Sequence, residues 1–238
     1  MPYAILPAVS AAKPKLSQRL PHLIATLRRA HPDYRCALEH TDPLQLLVAT
    51  ILSAQCTDVR VNQVTPALFA RYHTAADFAA APPGELELII HPTGFFRNKA
   101  RSIRRCCRAI AEQHGGRVPD TLEALVQLAG IGRKTANVVL GTGYGKAEGI
   151  VVDTHVMRLS RRMGLTRQAT PEKIEQALMK IVPRKNWIDF SHLLIWHGRR
   201  RCIAPNRTAL TANSTTSAPK SASNVTSCSV FVPACPIY

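Results

Sequence analysis

The chain has 238 residues, enough for one large domain or two modest ones, each with an apolar core. Lys and Arg total 31 against 15 Asp and Glu, and the formal net charge of +16 favours a polyanionic partner through counterion release, nucleic acid first and an anionic membrane surface second. No run approaches the roughly 18 apolar residues of a membrane span, and Met1 to Lys15 lacks the basic start and apolar middle of a signal peptide, so the expectation is a soluble, cytoplasmic protein with reduced cysteines.

Apolar residues recur at helical spacing and strand-like alternation is scarce, which reads as an all-helical protein. From Arg19 to Ala30 one face carries Leu20, Leu23, Ile24 and Leu27. Asp42 then reads as an N-cap with Pro43 at the first helical position of a buried helix from Leu44 to Ala54. Asn98 is the expected cap of a helix to His114, with Ala100, Ile103, Cys107 and Ile110 on its core side and Arg101, Arg104, Arg105 and Arg108 on a basic side. Asp120 with Glu123 resembles a capping box for Leu122 to Leu128. Gly130 and Gly132 break the chain before another helix begins around Arg133, which gives a helix, a glycine hairpin and a second helix. Asp153 precedes a helix from Thr154 to Met163 stopped by Gly164, Thr170 with Pro171 starts one through Ile181, and two short helical stretches fit Ile188 to Trp196. After Cys202 the composition turns to Ser, Thr, Ala, Asn and Pro without an acidic residue, and residues 203–238 read as a disordered tail.

The hairpin Leu128-Ala129-Gly130-Ile131-Gly132 places backbone N–H groups at a helix start, where a phosphate fits without any readout of base sequence; a plain turn is the competing reading. Lys134 lies in the first turn of that helix, where the dipole and the neighbouring Arg133 disfavour an ammonium. A neutral amine there can attack a sugar C1′ and form a Schiff base; from position alone, a solvated lysine on a phosphate is the stronger reading. Asp153 reads as a helix cap, and a carboxylate so placed could also stabilise positive charge on the sugar or help deprotonate the nucleophile.

Three stretches occur in order: Leu52-Ser53-Ala54-Gln55-Cys56-Thr57-Asp58, Leu128 to Leu140 (LAGIGRKTANVVL), and Val152-Asp153-Thr154-His155. Together with Gly94 to Ala100 and His197-Gly198-Arg199 they resemble the endonuclease III family of DNA glycosylases from about Arg19 to Cys202. The resemblance implies a helix-hairpin-helix DNA-binding element involving Gly130, Gly132, Arg133, Thr135 and His155, a nucleophile at Lys134 and an assisting carboxylate at Asp153. It further implies a monomer that acts on double-stranded DNA, excises oxidised pyrimidines and cuts the strand 3′ to the abasic site by β-elimination. The target nucleotide must leave the stack, and by resemblance Gln55 fills the gap while Phe95 takes the place of an apolar wedge, with a core role for Phe95 as the alternative. The family fold implies two helical domains with a DNA-binding cleft between them: a six-helix barrel at about 36–147, and a second domain from 1–35 and 148–202. Ala129 departs from the family, where a proline usually precedes the first glycine. An adenine-mismatch glycosylase and a non-catalytic DNA-binding remnant are the competing functions, and Lys134 with the Leu52 to Asp58 motif argues against the first.

The larger departure is at the C-terminus. Most of the family binds a [4Fe-4S] cluster through Cys-x6-Cys-x2-Cys-x5-Cys; Cys202 matches the first ligand, but Ala209, Ala212 and Ala218 stand at the other three. The four-cysteine site is therefore absent as written, and no cofactor is required for the chemistry. Every alanine codon begins GC, and moving the frame back one base makes it TGC, cysteine, wherever the preceding codon ends in T. Thr208, Thr211 and Ser217 all have such codons, so the pattern predicts one nucleotide gained near the codons for Ala204 and Pro205, and an aberrant tail behind it.

Overall fold

The computed structural model describes residues 16–203, and every described regular element is helical. In order these are α1 (Leu16–Ala30), α2 (Pro43–Leu52), α3 (Asp58–Arg71), α4 (Ala75–Ala80), α5 (Glu85–Ile90), a 3-10 turn (His91–Thr93) and α6 (Phe96–Gln113). Then come α7 (Leu122–Gln127), α8 (Arg133–Val138) continuing into a wide π-turn (Val139–Gly143), α9 (Thr154–Arg162), α10 (Pro171–Ile181), a second 3-10 turn (Arg184–Asn186) and α11 (Trp187–Arg200). The tail expected at 203–238 and its three alanines lie outside the described residues, apart from Ile203.

The helices bury two apolar clusters. The larger runs from Leu38 to Leu140 and draws on α2 through α8 and the π-turn. The smaller joins Leu20, Leu23, Ile24 and Leu27 of α1 to residues between Ile150 and Cys202. Two elements anchor the larger core as their patterns predict: α2 is buried from Leu46 to Ala49, and α6 turns Ala100, Ile103, Cys107 and Ile110 fully inward.

The caps show how the starts are chosen. Asp42 accepts from the N–H groups of Leu44 and Gln45 with Pro43 at the first position, and Thr170 does the same for Lys173 ahead of Pro171. Other expectations shift. Thr121, not Asp120, caps α7, because Asp120 is drawn to the Lys146 ammonium. Asn98 lies inside α6, which begins at Phe96 after a left-handed Phe95. Arg104 leaves the basic side of α6: it forms a half-buried ion pair with Glu87, while Arg101, Arg105 and Arg108 stay exposed. The two short stretches expected over Ile188 to Trp196 are one helix, α11. Helices α3, α4 and α5 carried no readable period, since α3 holds Pro66 in its interior and the other two are six residues each.

Candidate active site and nucleic-acid interface

The first wall of the site is α8. Lys134, Asn137, Val138 and Gly141 fall one helical turn apart along one face and line a cavity of about 120 Å³. The break into a π-turn at Val139–Gly143 keeps Gly141 and Thr142 on this wall, and Gly141 is where Ile188 approaches: a Cβ there would come within 3.2 Å of its side chain. Thr50 and Ser53 of the α2 end close one side.

The rest of the lining comes largely from the terminal elements. The Ser191 hydroxyl of α11 accepts from Val151 N–H at 3.0 Å and donates to the Trp187 carbonyl at 3.1 Å, which fixes the strand-like approach to Asp153. Asp153 caps α9, its Oδ1 accepting from Val156 N–H at 2.8 Å. The cap expectation is met, and the carboxylate also lines the same cavity as Lys134. Among the described residues neither Lys134 nor Asp153 takes part in an ion pair, whereas the other carboxylate of the cavity, Asp58, is held by Arg199 at 2.6 Å. An amine and a carboxylate thus line one space, neither of them held in an ion pair among the described residues.

Arg133, expected to add positive charge beside Lys134, turns instead to α10. Its Nε donates to Glu175 at 2.8 Å, and the same buried carboxylate accepts from Asn137 Nδ2 at 2.8 Å. Gly149 permits this: a Cβ there would lie 2.1 Å from Glu175 Oε1. Asn137 fell inside the Leu128 to Leu140 motif without an assigned role, and Glu175 carried no signal in the sequence, because a glutamate on an amphipathic helix reads as solvated face.

In the hairpin the two glycines differ. Gly130 has φ +80 and its absent Cβ would touch Ser102 of α6 at 3.2 Å, so turn and packing both require it. Gly132 has φ −91, ψ 171, a conformation open to any residue, and a Cβ would meet nothing in the chain. Thr135 is half-buried on the same helix. His155 is also half-buried and packs against Gly198, where a Cβ would lie 2.7 Å from its Nδ1; burial pushes its titration down.

Gln55 and Phe95 share a backbone feature. They are the two non-glycine residues with positive φ among those described, +52 and +48, and both are exposed, Phe95 at 64%. Phe95 is therefore outside the core. Such conformations cost of order 1–3 kcal/mol and cluster at functional positions.

At the C-terminal end Cys202 is buried, with Arg162 Nη1 donating to its Sγ at 3.1 Å. No group of three or more His, Cys, Asp or Glu among the described residues could hold a metal ion.

Residues 48–184 match the family model of the HhH-GPD superfamily base excision DNA repair protein. Endonuclease III of Synechocystis is 51% identical over 187 residues, covering 79% of this chain and 85% of its own; that of Escherichia coli K12 is 40% identical over 182 residues, covering 76% and 86%. A non-covalent endonuclease III–DNA complex superposes with a TM-score of 0.76 at 40% identity, covering 83% of this chain and 92% of that one. A thermostable thymine-DNA glycosylase shares the fold, with a TM-score of 0.71 at 22% identity. With an unpaired lysine and a capping aspartate facing one cavity beside a glycine hairpin, and with these relatives, the chain belongs to the endonuclease III family within the HhH-GPD superfamily of base excision DNA repair proteins.

Proposed function

We propose that this protein is a bifunctional DNA glycosylase and AP lyase of base excision repair that removes oxidised pyrimidines from duplex DNA through Lys134. The observation that carries the reading is the shared cavity: Lys134 and Asp153, from different elements, both line it and neither is ion-paired among the described residues. The Lys134 amine attacks C1′, and the glycosidic C–N bond breaks with its electron pair leaving on the base. Asp153 takes a proton from the attacking nitrogen and offsets positive charge at the sugar. The C1′–O4′ bond then breaks as the nitrogen lone pair forms the imine and O4′ takes a proton. The imine acidifies the C2′ hydrogen, whose loss breaks the C3′–O bond, expels the 3′ phosphate and cuts the strand, and water hydrolyses C1′=N to free Lys134.

The remaining parts serve access. A glycine at 132 that the fold does not require suits close approach of a DNA phosphate to the hairpin, alongside Gly130, Arg133 and Thr135. Gln55 and Phe95 enter the duplex where the target leaves it, and His155 supports the wall near Asp153. The barrel at 36–147 and a second domain from 1–35 and 148–202 are supported over the described residues by the two apolar clusters, with the cavity between them, while residues 1–15 lie outside those described.

The family's [4Fe-4S] cluster does not fit the chain as written. Cys202 is the one thiol at a ligand position, and the methyl groups of Ala209, Ala212 and Ala218 donate no electron pair to iron. No step above passes through the cluster. Purified protein is expected to be colourless and iron-free, and a brown cluster absorbance would refute this; sequencing across the codons for Ala204 and Pro205 tests the gained nucleotide. Borohydride trapping on duplex DNA with an oxidised pyrimidine tests the chemistry: the wild type is expected to form a covalent adduct and Lys134→Ala none. A wild type that neither traps nor cuts sinks the lyase reading.

A further inference from the structure

Lys99 is 5% exposed, yet its ammonium meets no carboxylate among the described residues. Nζ donates instead to two backbone carbonyls, Leu52 O and Thr93 O, each at 2.8 Å. Leu52 is the last residue of α2 and Thr93 the last of the 3-10 turn, so both carbonyls belong to helix ends that lack intrahelical partners and carry the negative end of the dipole. One cation thereby caps two helices at once. Three residues beyond Leu52 stands Gln55, two beyond Thr93 stands Phe95, and these are the two non-glycine residues with left-handed backbones among those described. The loop closes through the main chain, since Lys99 N–H donates to Phe95 O at 3.1 Å.

Burying an ammonium is costly, and burial pushes the Lys99 titration down. A methionine would fill the same space without that cost. What it would lose is the tie between the two loops.

We propose that Lys99 is a positioning residue that locks the Gln55 and Phe95 loops at one spacing, so that both side chains enter the duplex together when a base is extruded. This rests on the glycosylase reading above. Opening a base pair needs both side chains in register, whereas an abasic site has no base to pull out, so loss of the lock should separate two substrates of one enzyme.

The experiment compares wild type with Lys99→Met on duplex DNA carrying a paired oxidised pyrimidine and on duplex DNA carrying a preformed abasic site, with circular dichroism and thermal unfolding as folding controls. The expected result is a roughly 10- to 100-fold loss of kcat/KM for base removal, of the size that misplacement by about 1 Å produces, with less than about a threefold loss of cutting at the abasic site. The lesion-specific loss should also disappear in a Gln55→Ala, Phe95→Ala background, where there is nothing left to align. Equal losses on both substrates, or no loss on either, overturn the positioning role. If Lys99→Met does not fold, Lys99→Gln, which keeps an amide donor for one carbonyl, is judged by the same criteria, and failure of both to fold makes Lys99 a purely structural residue. Wild type inert on both substrates instead overturns the lyase reading and this inference with it.

Discussion

The two apolar clusters are held by different means. The larger, from Leu38 to Leu140, closes around fully buried aliphatic and aromatic side chains such as Leu47, Phe78 and Ile103. The smaller relies more on polar stitching. Arg158 Nη2 donates to the Gly198 and Cys202 carbonyls at 3.0 and 2.8 Å, and His31 Nε2 meets His197 Nδ1 at 3.1 Å between the end of α1 and α11. The four histidines that burial pushes down, His31, His155, His192 and His197, all lie on these terminal elements. A core made by burial resists loss of single polar contacts. A core fastened by cations and imidazoles is exposed to charge removal and to acid.

The largest effect tests the first half of that contrast: Ile103→Ala should cost about 2–5 kcal/mol in chemical denaturation, since a fully buried side chain leaves a cavity. A cost under about 1 kcal/mol would mean that the larger cluster is loosely packed. Next, Arg158→Met should cost about 1–3 kcal/mol by leaving the Gly198 and Cys202 carbonyls without this donor. Both tryptophans, Trp187 and Trp196, lie on α11, so their fluorescence reports the terminal side and should show this loss before far-ultraviolet dichroism does. Coincident transitions would break the comparison.

The smallest effect is the pH dependence. His197 is pushed down to about 4 by burial and then by His31 and Arg201. Unfolded histidine takes its proton near 6.5 while the native residue does not, so the terminal side should lose stability as pH falls from about 6.5 to about 4. On the side of the larger cluster, the Arg104 guanidinium holds Glu87 at about 2, against 4.5 unfolded, so that contribution persists above 4.5 and is lost only as pH falls toward 2. Tryptophan-detected melting should therefore drop between pH 7 and 5 ahead of the dichroism signal, and an unchanged midpoint over that range would refute the assignment.

Much of this was readable from local chemistry. Asp42-Pro43, Thr170-Pro171 and Asp153 announce helix starts because a cap needs only its own next three residues. The ordered motifs placed Lys134 and Asp153 in one family site, and both line one cavity. What stayed hidden depends on distant partners. Nothing near Arg133 in sequence points to Glu175, 42 positions away, and nothing near Lys99 points to Leu52, 47 positions away. Asp120 misled because a nearby lysine in space, Lys146, outcompeted the helix end.

Asp153 spends one oxygen on Val156 N–H and has a second for the cavity. Asparagine caps as well as aspartate, its carbonyl oxygen accepting the same bond, so Asp153→Asn would leave α9 started and the fold intact while removing the negative charge. The architectural duty of this residue and the reactive duty proposed for it can thus be uncoupled by a single atom, oxygen for nitrogen, and the helix itself serves as the internal standard for whether the charge matters.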